Sequence, residues 1–150
     1  MKHDRTAGFK TAAALWMMLA VLAAAVFSGR EAACAKSRDL WTIMLQETND
    51  SYQDNLKLGL PVSSKVKLKK NTIVIYGSVR ESGSGENSAA VKHAYKLAEN
   101  VKFVSEGGTG PAQEMTKKEF KKYLKKVQDS GLGLMIQLKN EKAVRVSVSS

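Results

Sequence analysis

Cysteine is almost absent from this chain of 150 residues, which contains only Cys34. Histidine is nearly as scarce, because His3 and His93 are the only two. A structural zinc site uses about four cysteine or histidine ligands, and a catalytic zinc site uses about three protein ligands. The composition therefore argues against both kinds of site, and a single cysteine cannot form a disulfide within the chain. We expect no metal and no cofactor.

The order of charge and apolarity over residues 1–35 is typical of a secretory signal peptide. Basic residues at positions 2, 5 and 10 precede an uncharged, alanine-rich run over 11–28, and the segment ends in Ala33-Cys34-Ala35. This order of basic, apolar and small residues predicts cleavage directly before Lys36. We expect 1–35 to be a signal peptide and the mature chain to be exported, either periplasmic or secreted, in a bacterium.

Two alternatives for this segment stay open. An uncleaved segment would anchor the chain, because the 18 uncharged residues of 11–28 lie near the lower limit for crossing a bilayer. Acylation of Cys34 would make a lipoprotein, although Glu31 stands where a bacterial lipobox needs an aliphatic side chain. Membrane association is therefore expected only through an uncleaved signal or a lipidated Cys34.

We predict that the exported protein begins at Lys36, since Ala33 and Ala35 are the small residues that a signal peptidase recognises. N-terminal sequencing of the exported protein measures this directly. A start at Met1 would mean a retained anchor, and a lipid on Cys34 would mean a lipoprotein.

Lysine and arginine outnumber aspartate and glutamate by 24 to 14, and four of the bases and two of the acids precede Lys36. The mature chain therefore has a formal charge of about +8, which favours an anionic partner. Arginine, the better bidentate phosphate ligand, is rare, and few aromatic residues are available to stack on bases. We therefore expect an envelope protein or an anionic polymer as the partner, and no nucleic acid.

Lysines are concentrated in two segments of the mature chain. Charge and apolarity alternate strictly over 65–69, which predicts a strand with one solvated face. Residues 116–128 predict a helix, with Thr116 and Glu119 as a capping box and Phe120 at the start of an apolar stripe. The possible anion-binding surface consists of Lys65, Lys67, Lys69, Lys118, Lys122 and Lys125. The alternative is that these lysines are only solvated faces that protect a sheet edge.

Residues 64–150 are predicted to form a single α+β domain. Residues 72–76 are β-branched and aromatic and predict a central strand, and 132–139 and 143–149 predict a C-terminal hairpin. Residues 36–63 are predicted to be an N-terminal arm that lies across this domain.

Residues 88–99 are ambiguous, because their alanines favour a helix while Val91, His93, Tyr95 and Leu97 alternate as in a strand. We predict a helix there. The expected fold is therefore α+β, with a small antiparallel sheet of four to five strands and one or two helices. If 88–99 is extended instead, a small β-barrel with one helix is the alternative.

These patterns favour an exported, non-enzymatic binding or accessory protein of the bacterial cell envelope. The alternative is a small extracytoplasmic hydrolase that uses carboxylates or His93. No serine has the context of a nucleophile elbow, and the glycines of 107–111 lack the spacing of a phosphate-binding loop. The sequence thus contains no catalytic constellation that we can assign, and no motif specific enough to name a family.

Overall fold

The computed structural model describes residues 36–150, so the expected signal peptide over 1–35 lies outside the described residues. The described part of the chain contains eight strands and two helices and is mostly sheet. In chain order these elements are β1 Ser37–Met44, α1 Asp50–Lys57, β2 Val62–Leu68, β3 Thr72–Gly77, β4 Arg80–Glu81, β5 Val91–Glu106, β6 Gln113–Met115, α2 Lys117–Val127, β7 Gly133–Lys139 and β8 Lys142–Ser149.

Six of the strands close into a barrel. Their order is β2-β3-β5-β8-β7-β1, and β1 returns to pair with β2. The pairs β1–β2 and β5–β8 are parallel, and the other four pairs around the barrel are antiparallel. The short strands β4 and β6 add to β1 and β5 outside this circuit.

This architecture corrects part of the sequence-based prediction. A small α+β fold that is mostly sheet with two helices is confirmed. The expected antiparallel sheet of four to five strands is wrong, because the sheet has eight strands and closes on itself. The small barrel, our alternative, describes the arrangement better, although it carries two helices rather than one.

The inward side chains of the barrel strands and the apolar face of α2 form one core. On β1, for example, Leu40, Thr42 and Met44 are buried while the intervening residues are more exposed, as the two-residue period of a strand requires. Phe120 and Leu124 of α2 are buried against this interior. The rings of Phe103 and Phe120 lie 5.0 Å apart between centroids, within the range of favourable aromatic pairs.

The helix predicted over 88–99 is wrong, because Val91–Glu106 is a single strand of 16 residues. It pairs with β3 along its first half and with β8 along its second half. These pairings satisfy much of its backbone, and His93, Tyr95 and Leu97 lie on its more buried face. Sheet pairing and side-chain burial therefore outweigh the helix propensity of the alanines.

The interpretation of 36–63 as an arm also needs correction. Its first part is β1, which pairs antiparallel with β7 from Ser37↔Lys139 to Ile43↔Gly133. The segment then forms α1, which has no buried residue, and the first residues of β2. Residues 37–44 are therefore an integral strand of the barrel.

The seam between β1 and β2 is short and depends on a glycine. Only Ile43↔Val62 and Met44↔Ser63 pair across it. Gly77 lies opposite Ser63 with a φ of 143°, and a β-carbon there would collide with the backbone of Val62 and Ser63. A side chain at position 77 would therefore push β3 away from β2 next to the two residues that pair with β1.

Helix α2 begins at the predicted position. The Thr116 hydroxyl accepts from the Glu119 N–H, and the Glu119 carboxylate accepts from the Thr116 N–H at 2.8 Å, which confirms the capping box. The backbone hydrogen bond from Thr116, followed by the bond from its hydroxyl, lowers the pKa of the Glu119 carboxyl.

The predicted C-terminal hairpin is present, and β2 and β3 form another hairpin. Lys69 N–H donates to the Thr72 carbonyl at 2.8 Å, which closes the turn between β2 and β3. Asn140 and Glu141 join β7 to β8 with φ values of 51° and 61°, as expected for the two central residues of a type I′ turn. No helix among the described residues is long and apolar enough to cross a bilayer.

We predict that Phe120→Ala lowers the free energy of unfolding by about 3–5 kcal/mol, because it empties the site of a fully buried aromatic ring. Chemical denaturation measures this loss. Lys118→Ala, on an exposed position of the same helix, is the control and should stay within about 0.5 kcal/mol of wild type. A loss below about 1 kcal/mol for Phe120→Ala would contradict the assignment of this helix face to the core.

We predict that Thr42→Val raises the free energy of unfolding by about 1 kcal/mol. Thr42 is fully buried, and its hydroxyl has no hydrogen-bond partner among the described residues. Valine has nearly the same shape and removes the desolvated polar group. The matched variant Thr42→Ser keeps the hydroxyl, loses a methyl group and should be less stable than wild type. A less stable Thr42→Val protein would mean that the hydroxyl has a partner.

Candidate anion-binding groove

The short seam leaves one side of β2 without a neighbouring strand. Strand β1 pairs with Val62 and Ser63 and ends at Met44, so the stretch from Ser64 to Leu68 has β3 on one side only. Helix α2 lies across from this stretch. The space between β2 and α2 is an open groove of about 710 Å³.

We call this space the lysine groove and define it by the residues that line it. Its floor is apolar and consists of Val66 and Leu68 from β2 and Leu124 from α2, all of them buried. Its walls carry five lysines from two elements and its end is formed by the loop after β1. The wall lysines are Lys65, Lys67, Lys69, Lys121 and Lys125.

Local geometry explains why these five lysines meet. The two-residue period of β2 exposes Lys65 and Lys67 while Val66 and Leu68 are buried, and Lys69, directly after the strand, is exposed as well. The helical period places Lys121 and Lys125 one turn apart on the side of α2 that faces β2.

The structure brings together four of the six lysines proposed from the sequence. Lys65, Lys67, Lys69 and Lys125 line the lysine groove, and Lys118 and Lys122 do not. Lys122 lines a separate hollow near Glu114 and Glu119, on another side of α2. Lys121 also lines the groove but is not among the six lysines proposed from the sequence, because the sequence does not show which side of α2 faces β2.

The lysines of the groove have no carboxylate partner in the part of the chain that the structure describes. The ion pairs within residues 36–150 involve other side chains, so none of the five groove lysines lies within ion-pair distance of an acid there. Glu47 is the one acidic residue among those that line the groove. The Lys67 ammonium lies 5.7 Å from the centroid of the Tyr76 ring, a cation–π contact that brings no negative charge to the groove. The groove is therefore a region of positive potential that attracts anions.

A glutamine side chain spans the groove from α2 to the backbone of β2. The Oε1 atom of Gln128 accepts a hydrogen bond from the Val66 N–H at 2.8 Å, and its Nε2 donates to the Val66 carbonyl at 2.6 Å. The amide of Gln128 thus occupies the position that the peptide group of a neighbouring strand would take. Sequence reasoning missed this residue, because nothing in the local pattern distinguishes it from a solvated glutamine.

A second cleft of similar volume carries lysines near the start of α2. Lys70, Lys96, Lys117 and Lys142 line it together with Glu99. The Lys117 ammonium donates to the carbonyl of Lys70, so part of its hydrogen-bonding capacity is used within the protein. Because this cleft also carries several lysines, charge reversal there serves as a control for the lysine groove.

The surroundings of His93 do not support the hydrolase alternative. Its Nε2 atom lies 3.1 Å from the Ser88 hydroxyl and 3.0 Å from the Ala89 carbonyl. A carbonyl only accepts, so the contact with Ala89 requires a proton on Nε2, and that nitrogen then cannot accept the proton of Ser88. The Ser88 hydroxyl also accepts from the Val79 N–H at 2.9 Å. These contacts hold the loop before β5, which is a structural role.

Three of the carboxylates that a hydrolase could use are engaged in ion pairs. Glu81 pairs with Arg38, Glu106 with Arg145, and Glu114 with Lys102. Glu81 and Glu86 line the hollow around His93, where burial of Tyr95 raises the pKa of its phenol. Among residues 36–150, no group of three histidine, cysteine, aspartate or glutamate side chains is arranged to hold a metal ion.

No protein-family model, curated protein or solved structure matches this chain. The function is therefore inferred from the residues of the lysine groove themselves.

Proposed function

We propose that this chain is an exported, non-enzymatic binding protein of the bacterial cell envelope that binds an anionic polymer in the lysine groove. One observation carries the proposal: five lysines from two separate elements line a single groove, and none of them is paired with an acid within residues 36–150. Lysines that only keep a surface solvated have no reason to line the same groove. Positive charges held close together repel one another, and a bound anion removes this free-energy cost.

The spacing of the lysines supports a polymer rather than a small anion. Lys65, Lys67 and Lys69 follow one another at two-residue intervals, which places their attachment points about 7 Å apart along β2. Lys121 and Lys125 repeat along the opposite wall, at one helical turn or about 6 Å. A ligand with repeated negative charges contacts several of these ammonium groups at once, and each contact adds to the same binding event.

Export is supported by the order of residues over 1–35, which contains the three parts of a signal peptide. An exported basic protein of this size meets the anionic surfaces of the envelope, where a positive groove increases the rate of encounter. The contacts of His93 favour a structural role for that residue, and Glu81, which lines the same hollow, is paired with Arg38. These residues therefore favour the binding function over the hydrolase alternative.

We predict that the double variant Lys121→Glu/Lys125→Glu binds heparin, used as a model anionic polymer, at least tenfold more weakly than wild type. A tenfold loss corresponds to about 1.4 kcal/mol, which is reasonable for the reversal of two groove charges. Isothermal titration at two salt concentrations measures it. Wild-type affinity should fall as salt rises, because the ionic contacts are screened over about 8 Å at physiological ionic strength.

The matched control is Lys118→Glu/Lys122→Glu. It changes the same number of charges on the same helix with the same four-residue spacing, but outside the groove. Its affinity should stay within about threefold of wild type. A second control, Lys96→Glu/Lys142→Glu, tests the other cleft. Equal losses in all three variants would mean that net charge alone attracts heparin and would contradict a dedicated groove.

A further inference from the structure

The backbone of β2 presents hydrogen-bonding groups to the lysine groove. Lys69 bonds to Thr72 in the hairpin turn, so the alternation of an antiparallel pair directs the backbone groups of Lys65 and Lys67 toward β3. The N–H and C=O groups of Val66 and Leu68, at the intervening positions, then point away from β3 and toward α2. The bonds between Val66 and Gln128 agree with this direction.

The edge of β2 is therefore complementary to another peptide backbone. The planar amide of Gln128 already forms two hydrogen bonds with Val66 in the manner of a paired strand. That side chain reaches only one residue of the edge. An extended peptide, with one donor and one acceptor directed to the same side at every second residue, would pair with both Val66 and Leu68.

We propose that the ligand of the lysine groove is an acidic polypeptide segment that adds to β2 as an extra strand and displaces the side chain of Gln128. This inference rests on the proposed function and specifies the polymer. Strand addition of this kind draws its affinity from backbone hydrogen bonds and its specificity from alternate side chains.

The two faces of the added strand meet different surroundings. Side chains on one face lie beside Lys65, Lys67 and Lys69, which favours aspartate or glutamate at every second position. Side chains on the other face lie over Val66, Leu68 and Leu124, which favours apolar residues at the intervening positions. The groove thus selects a segment in which acidic and apolar residues alternate.

Other anionic polymers use fewer of these features. A sulfated polysaccharide or a polyphosphate satisfies the lysines, but it has neither apolar groups for the floor nor backbone amides with the spacing of a strand. An acidic polypeptide is complementary to the charges, the edge and the floor together. The length of β2 that is open, Ser64 to Leu68, accommodates a segment of about five or six residues at about 3.4 Å per residue.

Synthetic peptides with three Glu-Val repeats and blocked ends test this inference on the purified protein. Two further peptides have the same sequence and charge but are N-methylated at all three glutamates or at all three valines. Whether the added strand runs parallel or antiparallel to β2, either the glutamate N–H groups or the valine N–H groups face β2. Methylation of that set removes the hydrogen bonds that these N–H groups donate to Val66 and Leu68, and methylation of the other set does not. We expect the affinities of the two methylated peptides to differ at least tenfold by titration calorimetry. Equal affinities would overturn strand addition.

The variant Gln128→Ala is the second measurement. It removes the side chain that competes for Val66, so the unmethylated peptide should bind at least threefold more tightly than it binds to wild type. Unchanged or weaker binding would overturn displacement of Gln128. If this variant does not fold, the comparison of methylated peptides on the wild-type protein still decides the inference.

The outcomes separate this inference from the proposed function. Binding of heparin in the groove without binding of any peptide would overturn strand addition and leave the anion-binding groove in place. Binding of neither would contradict both.

Discussion

The structure depends on how β1 closes the barrel. This strand pairs with β7 over seven residues but with β2 over only two, at Ile43↔Val62 and Met44↔Ser63. Because β1 ends at Met44, the rest of β2 lacks a strand partner, and α2 with its buried Phe120 and Leu124 covers the opening instead. A helix cannot supply the backbone hydrogen bonds that a strand would. The groove, its lysine walls and the bridging Gln128 all follow from this replacement of strand by helix.

The sequence predicts correctly those strands and helices whose residues follow a single hydrophobic period and whose ends carry a turn or capping signal. The alternation over 65–69, the β-branched run at 72–76 and the capping box at Thr116 all correspond to observed elements. Residues 88–99 matched both periods, and partners distant in sequence made them a strand. The role of 37–44 depends on β7, which local sequence does not specify. Barrel closure is a property of pairing between distant segments, and one sequence does not reveal it.

The candidate site could be predicted only in part, for the same reason. Alternation identified Lys65, Lys67 and Lys69 as exposed, because that property belongs to one strand. On α2 the sequence shows which lysines avoid the apolar stripe but not which side of the helix faces β2, so it does not separate Lys121 from Lys118 and Lys122. Gln128 gained its role from the missing strand partner of Val66. A site made by two elements requires their relative placement, which hydrophobic periodicity does not supply.

The long separation between β1 and β7 has a consequence for the order of folding. Ser37 pairs with Lys139, about 100 positions later, and contacts of such long sequence separation slow folding because the chain loses much entropy before they form. The hairpin of β7 and β8, joined by Asn140 and Glu141, closes a much shorter loop. We therefore expect this hairpin to form before β1 pairs with β7. A chain that emerges with its N-terminus first can therefore form the β1–β7 pairing only after its last strands are released.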